Sequence, residues 1–136
     1  MTVPAGESPP GVHWVLLLQR GSEDVLYEAA AMTAAAVSLG LDVTLVWFDH
    51  ALAALAAGRL DGGEESGEAD LPGTFGAAGR LLHEARHAGR VRFLACSASA
   101  ITGSGGIDGV RRRVDDVVGW PTAIALIRSA EHAFVW

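Results

Sequence analysis

Residues 12–48 read VHWVLLLQRGSEDVLYEAAAMTAAAVSLGLDVTLVWF, a pattern that predicts a strand, a helix and a second strand. The two outer runs, Val12 to Leu18 and Leu41 to Phe48, are apolar without helical spacing, which is typical of strands buried on both faces of a sheet. Between them, apolar residues recur at spacings of three and four from Glu23 to about Leu39, and Gly40 supplies a stop signal. A unit of this kind favours a parallel sheet with helices on its faces.

The same alternation continues along the rest of the chain. Short apolar runs predict three further strands, and segments with helical spacing separate them. The order β-α-β-α-α-β-(α)-β-α-β predicts an α/β domain with a mostly parallel five-stranded sheet and helices on both faces. The remaining predicted helices are 50–57, 75–88 and 121–130, and the remaining predicted strands are 91–95, 114–118 and 132–136.

Length and composition limit the domain organisation. The chain has 136 residues, which fits one domain, and half of them are hydrophobic, so a core can form. Residues 1–11 hold three prolines and two glycines, which predicts a disordered tail before a single domain at 12–136. Residues 59–73 contain five acids and four glycines, which predicts a mobile acidic loop within that domain.

The charge pattern argues against several classes of partner and chemistry. The net charge is −6 and every basic residue is arginine, so the chain offers no lysine for a Schiff base or a P-loop. An acidic chain is poorly suited to a nucleic-acid backbone. No apolar run approaches the ~20 residues of a membrane helix, and no lysine or arginine precedes Arg20 to form the charged region of a signal peptide. We therefore expect a cytoplasmic protein with neither nucleic acid nor membrane as partner.

Two motifs suggest a metal or nucleotide site, but their context favours neither. His83 to His87 match H-E-x-x-H, yet on a helix both histidines lie opposite the apolar side and so point to solvent. A zinc enzyme needs that pair in a dry cleft with a third ligand. The cluster Gly103 to Gly106 is followed by no lysine, and Asp108 stands where G-x-G-x-x-G needs its third glycine. We therefore predict no metal and no cofactor.

Cys96 is the only cysteine of the chain, which excludes an internal disulfide and a multi-cysteine zinc site. Such a residue is either a buried apolar side chain or a reactive thiol. Cys96 ends a predicted strand, and ligands of open parallel sheets bind at the carboxyl ends of strands. Ser97 and Ser99 follow in a plausible helix start, where backbone N–H groups stabilise a thiolate. Cys96 is therefore the candidate catalytic residue.

Polar residues that follow neighbouring strands are expected at the same edge of the sheet. Asp49 and His50 directly follow the second predicted strand. Asp49 is also explained by helix capping alone, because aspartate is a favoured N-cap residue. The predicted substrate-binding residues around Cys96 are Arg20, Asp49, His50, Ser97, Ser99 and Trp120.

Three segments carry a resemblance to a known family. The first is an alanine-rich helix leading into GLDVTLV at 40–46, the second joins LLHEA at 81–85 to VRFLAC at 91–96, and the third is VVGW at 117–120. Over residues 12–136 the chain resembles the DsrE-like (DsrE/DsrF-like) family of small sulfur-handling proteins. The resemblance implies a three-layer flavodoxin- or Rossmann-like fold and a homo-oligomer, which is a dimer, a trimer or a hexamer.

Two hypotheses for function follow. In this family the cysteine after the third strand carries a persulfide and passes sulfur to a partner protein, and this role maps onto Cys96. The first hypothesis is therefore a sulfur carrier or sulfurtransferase-like protein of a sulfur relay, with a sulfur donor or acceptor protein as partner. The alternative is a non-enzymatic oligomeric module that binds a small ligand or a partner. In that case Cys96 is structural, and the apolar helix at 23–39 is the candidate contact with a second subunit.

Overall fold

The structure is a computed structural model that describes residues 13–61, 71–102 and 106–136. The predicted tail at 1–11 lies outside the described residues. So do positions 62–70 of the predicted acidic loop and positions 103–105 of the glycine cluster.

Five strands form one sheet, and each neighbouring pair is parallel. The spatial order is β4-β3-β2-β1-β5. The three central strands are almost continuously buried, as apolar runs in a sheet covered on both faces should be. The strands are β1 (His13–Leu18), β2 (Asp42–Trp47), β3 (Val91–Cys96), β4 (Asp116–Val118) and β5 (His132–Val135).

Six helices connect the strands within the described ranges. Where one helix was predicted between β3 and β4, the structure has two short ones. Of the helices in the described part of the chain, none combines the length and apolar character needed to cross a membrane. The helices are α1 (Glu23–Ser38), α2 (Asp49–Ala56), α3 (Phe75–Ala88), α4 (Ser97–Thr102), α5 (Gly106–Arg111) and α6 (Trp120–Ser129).

The strand β4 is shorter than predicted because a side chain takes over one of its expected hydrogen bonds. The predicted strand began at Val114, but β4 begins at Asp116. The carboxylate of Asp115 accepts a hydrogen bond from the backbone N–H of Phe93 at 2.7 Å, and also one from Arg86 at 2.9 Å. This side-chain bond occupies the β3 donor that a longer β4 would use.

The helices lie on both faces of the sheet, which confirms the three-layer flavodoxin/Rossmann-like architecture. β1 to β4 are laid down side by side, so their right-handed connections place α1 to α5 on one face, here called the first face. The chain then crosses back from β4 to β5, which places α6 on the second face. The core is correspondingly divided into a larger cluster under α1 to α5 and a smaller one under α6.

The topology creates a switch point at the carboxyl ends of β3 and β4. After β3 the chain enters α4 and α5 on the first face, and after β4 it enters α6 on the second face. Neighbouring strands whose connections leave to opposite faces open a crevice, and ligands of α/β sheets bind in such crevices. The edge that carries Cys96 is therefore the edge where this fold is suited to hold a ligand.

The helix α1 is a buried core helix. It packs against β1, β2 and, most extensively, α3. Its fully buried residues are Leu26, Ala29, Ala30, Thr33 and Ala36. The contact with α3 explains why α1 is apolar on a second side besides the side that faces the sheet. A contact between α1 and a second subunit remains a prediction.

An ion pair joins the turn after α2 to the segment before β4. The guanidinium of Arg113 donates to both carboxylate oxygens of Asp61, with the shortest distance 2.8 Å. Hydrogen bonds from Arg113 hold the pKa of the Asp61 carboxyl below its usual value. The same contact raises the pKa of Arg113. Arg113, the last of three consecutive arginines at 111–113, is thus paired with a carboxylate.

Replacing Asp61 by asparagine is expected to lower the free energy of unfolding at about pH 7 by roughly 0.5–1 kcal/mol, because the pair is partly solvent-exposed. The folded pKa of Asp61 lies below the unfolded one, so the stabilisation is present above the unfolded value and is lost as the pH falls through the folded value. Urea midpoints of the two proteins should therefore differ at about pH 7 and converge at about pH 2. A difference that stays constant over this range would contradict the assignment.

Candidate functional site

Cys96 is the last residue of β3, and its side chain lies on the second face of the sheet. It belongs to a row of three neighbouring side chains, Phe48, Cys96 and Val118, at the carboxyl ends of the strands. It pairs in register with Val118 of β4, and Phe48 occupies the corresponding position beyond the end of β2. Cys96 is 4% exposed and belongs to the smaller core cluster. Its neighbours in that cluster are apolar, so the thiol is surrounded by hydrocarbon on the side of the sheet that α6 covers.

Trp120 covers one residue of this row, Phe48, from the solvent side. Its ring stacks on Phe48 with centroids 5.0 Å apart and an angle of 26° between the planes. Phe48 is almost fully buried, whereas Trp120 is 49% exposed, so the stack marks the boundary between core and solvent. A Cβ placed on Gly119 would lie 3.8 Å from Ser97 Oγ, so the residue after β4 lies in van der Waals range of the start of α4. The two connections that leave the switch point therefore start close together, and Trp120 is the first residue of the second helix, α6.

Asp49 and Ser99 form a polar link between α2 and α4. Ser99 Oγ donates to Asp49 Oδ1 at 3.1 Å and accepts from the Asp49 backbone N–H at 3.2 Å. Asp49 has a φ of 43°, a left-handed conformation that aspartate tolerates better than most residues. The interpretation of Asp49 as an N-cap is wrong, since Phe48 holds that position and Asp49 is the first helical residue. Its carboxylate bonds α4 instead.

Arg20 and His50 lie in a separate cavity of about 540 Å³ on the first face. This cavity, named the cationic cavity below, is formed where the turn after β1 meets α2 and the residues that follow α2. None of its lining residues belongs to β3, β4 or α6. It is lined by Arg20, Gly21, Ser22, His50, Ala53, Ala54, Ala57 and Arg59.

The structure thus places all the predicted site residues at the carboxyl edge but divides them among three places. Cys96 and Trp120 lie toward the second face, and Ser97, the first residue of α4, directly follows Cys96. Asp49 and Ser99 bond each other between α2 and α4. Arg20 and His50 line the cationic cavity together with Arg59, which the sequence assigned to a mobile loop.

The H-E-x-x-H motif is located on the outer side of α3, as its helical spacing predicted. His83 and His87 are both exposed, and their rings contact each other edge to face with centroids 4.6 Å apart. Within the described ranges, no group of three histidine, cysteine, aspartate or glutamate side chains is arranged to hold a metal ion.

Comparison with known proteins provides no assignment for either the thiol or the cationic cavity. No protein-family model and no curated protein matches this chain.

Proposed function

We propose that the protein is a DsrE-like sulfur carrier that holds a sulfane sulfur on Cys96. The observation that carries the proposal is the position of the thiol. Cys96 ends β3 at the switch point, in the last row of side chains before solvent. Parallel α/β sheets bind their ligands at this edge, and the chain has one cysteine to use there.

The transfer is a thiol exchange in which atoms and charge balance. The Cys96 thiolate attacks the outer sulfur of a donor persulfide, so a new S–S bond forms on Cys96 and the donor leaves as a thiolate. The proton of the Cys96 thiol passes to solvent before the attack. An acceptor thiolate then attacks the outer sulfur on Cys96 and restores the original thiolate. No net oxidant or reductant is needed, because the sulfane sulfur keeps its oxidation state.

In this proposal, access to the thiol depends on Trp120, which stacks on the neighbouring Phe48. The described contacts bury Cys96 almost completely, and an apolar environment protects a persulfide from water and from other thiols. Trp120 is a half-exposed residue that contacts this buried row, because its ring stacks on Phe48, the neighbour of Cys96 in the row. In this proposal, loading and release require Trp120 to leave Phe48.

A second function is favoured by the same burial. Reactive cysteines occupy partly exposed, electropositive surroundings, whereas buried apolar cysteines are inert. Cys96 fits the second description, and Trp120 and Ile124 present exposed apolar surface on one side of α6. On this alternative, the protein is a non-enzymatic oligomeric module that binds a small ligand or a partner, and Cys96 is structural.

Intact mass after incubation with inorganic polysulfide distinguishes the two functions. For a carrier, the wild type should gain one sulfur that reductant removes, and Cys96→Ser should gain none. Trp120→Ala should load severalfold faster, because it removes the cover. Ile124→Ala is the matched control, since it also shortens an exposed apolar residue of α6 but leaves the Phe48 stack in place.

Two results would contradict the carrier function. One is a wild type that takes up no sulfur. The other is a Cys96→Ser variant that still gains the mass of one sulfur. A wild type whose thiol also resists alkylation until the protein unfolds would establish the structural role of Cys96 and support the binding module.

A further inference from the structure

We infer that the cationic cavity binds a small molecule through a tetrahedral oxyanion group of the phosphate type. The inference goes beyond sulfur transfer, since Cys96 takes no part in this cavity. Its polar wall consists of Arg20, Ser22, His50 and Arg59, and its remaining wall consists of small residues.

The charge of the cavity is the first argument. The chain carries a net charge of −6, yet the cavity is lined by two arginines and a histidine, and none of the described residues that line it is an acid. In the part of the chain that the structure describes, no carboxylate forms a salt bridge with Arg20 or Arg59. Arg59 instead lies over the ring of Phe75, with its guanidinium carbon 5.4 Å from the ring centroid. Guanidinium groups suit phosphate oxygens, because their N–H groups form paired, charge-assisted hydrogen bonds.

Two acids, Glu23 and Asp24, directly follow the cavity residue Ser22 along the chain. Glu23 accepts a hydrogen bond from the backbone N–H of Phe75 at 3.1 Å, so its carboxylate supports the start of α3. A hydrogen bond from Ser22 holds the pKa of Asp24 below its usual value, and Arg20 lowers this pKa further. Asp24 is fully exposed, so solvent screens its charge. Neither acid lines the cavity.

The cavity has a fixed frame. A Cβ placed on Gly21 would lie only 2.3 Å from the carbonyl oxygen of His50, so the turn after β1 rests directly on the start of α2. The backbone N–H of Ala51 donates to the carbonyl of Gln19 at 3.0 Å and fastens the same two segments. Arg20 and His50 therefore project from segments whose separation is set by backbone contact, and little ordering is left for a ligand to impose.

The size of the cavity indicates more than a bare ion. A volume of about 540 Å³ lies within the usual range for small-molecule sites of ~300–1,000 Å³. Gly21, Ala53, Ala54 and Ala57 provide a smooth, largely apolar wall beside the cations. A phosphate ester with a compact organic part matches both walls, because the cations take the phosphate and the alanines take the rest.

Isothermal titration with inorganic phosphate and with ribose 5-phosphate tests the inference on the full-length protein. Both should bind the wild type, and the ester should bind more tightly if the apolar wall contributes. Arg20→Gln and Arg59→Gln should each weaken binding by about tenfold to a hundredfold, the loss expected for a charge-assisted hydrogen bond. Arg128→Gln is the matched control, because it removes an exposed arginine of α6 on the opposite face.

The outcomes separate this site from the sulfur chemistry. Cys96→Ser should bind phosphate as the wild type does, whatever its sulfur loading. Arg59→Lys should retain more affinity than Arg59→Gln, and unchanged melting temperatures show that the variants are folded. The inference is overturned if neither ligand binds the wild type. It is equally overturned if Arg128→Gln weakens binding as much as the two cavity variants do.

Discussion

Replacing Trp47 by alanine is expected to lower the free energy of unfolding by about 3–5 kcal/mol, the usual cost of truncating a buried tryptophan. Trp47 is completely buried at the end of β2, and its ring lies 5.2 Å from that of Phe93 on the neighbouring strand. Its position in the larger core cluster joins the sheet to the helices of the first face. Because domains of this size are stable by only about 5–15 kcal/mol, the change removes a large share of the total. Urea denaturation followed by circular dichroism measures it.

Trp47→Phe is the informative control for this prediction. The indole Nε1 of Trp47 is buried and has no hydrogen-bond partner within the described residues. Phenylalanine keeps an aromatic ring against Phe93 and also removes that unpaired N–H, whose burial costs about 1–3 kcal/mol. We therefore expect Trp47→Phe to cost less than half of what Trp47→Ala costs. Equal losses would show that ring packing against Phe93 is not the source of the stability.

The fold could be predicted because the signals for its strands and helices lie within short segments of the sequence. Each central strand is an apolar run of the kind that only a doubly covered sheet requires, as in residues 91–96. Helix ends were similarly explicit, since Thr74 caps α3 by accepting a hydrogen bond from Ala77 and Gly40 follows α1 with a φ of +81°. The start of β4 was not local, because it depends on Asp115 bonding Phe93 from a distant part of the chain.

The candidate site was only partly predictable, for a geometric reason. A residue after a parallel strand lies at the carboxyl edge wherever that strand lies in the sheet, so Cys96, His50 and Arg20 were correctly assigned to one edge. The face on which each side chain lies depends on the strand order and on the path of each connection. The strand order and the connections together place Cys96 under α6, whereas Arg20 and His50 lie on the side of α1 and α2.

The position of Arg59 in the cationic cavity could not be predicted from the composition of its segment. It begins a stretch that is rich in acids and glycine, for which the composition predicts a mobile loop. Leu60, the next residue, is 7% exposed and belongs to the larger core cluster. The backbone at this buried leucine rests on α3, because a Cβ placed on Gly79 would lie 2.3 Å from the carbonyl oxygen of Leu60. Arg59, beside this anchor, lies over Phe75 and lines the cationic cavity.

Gly21→Ala is expected to destabilise the protein by roughly 1–3 kcal/mol and to abolish most phosphate binding, because the added methyl group overpacks a backbone contact. The new Cβ would lie 2.3 Å from His50 O and 2.7 Å from His50 C, and neither atom can rotate away as a side chain could. Relief requires the turn after β1 to separate from α2. That movement would also widen the spacing between Arg20 and His50.

Gly109→Ala is the matched control, since a Cβ there meets nothing within 4 Å and Gly109 lies inside the helix α5. Alanine is a better helix former than glycine, so this change should stabilise the protein by about 0.5–1 kcal/mol. Because both changes replace glycine by alanine, a loss of stability at position 21 and a gain at position 109 can be attributed only to the surroundings of each glycine. If Gly21→Ala instead unfolds at the wild-type urea concentration and binds phosphate normally, then the contact between the β1 turn and α2 does not set the geometry of the cavity. In that case the cations would have to be positioned by their own side-chain contacts, of which the Arg59–Phe75 stack is the one to remove next.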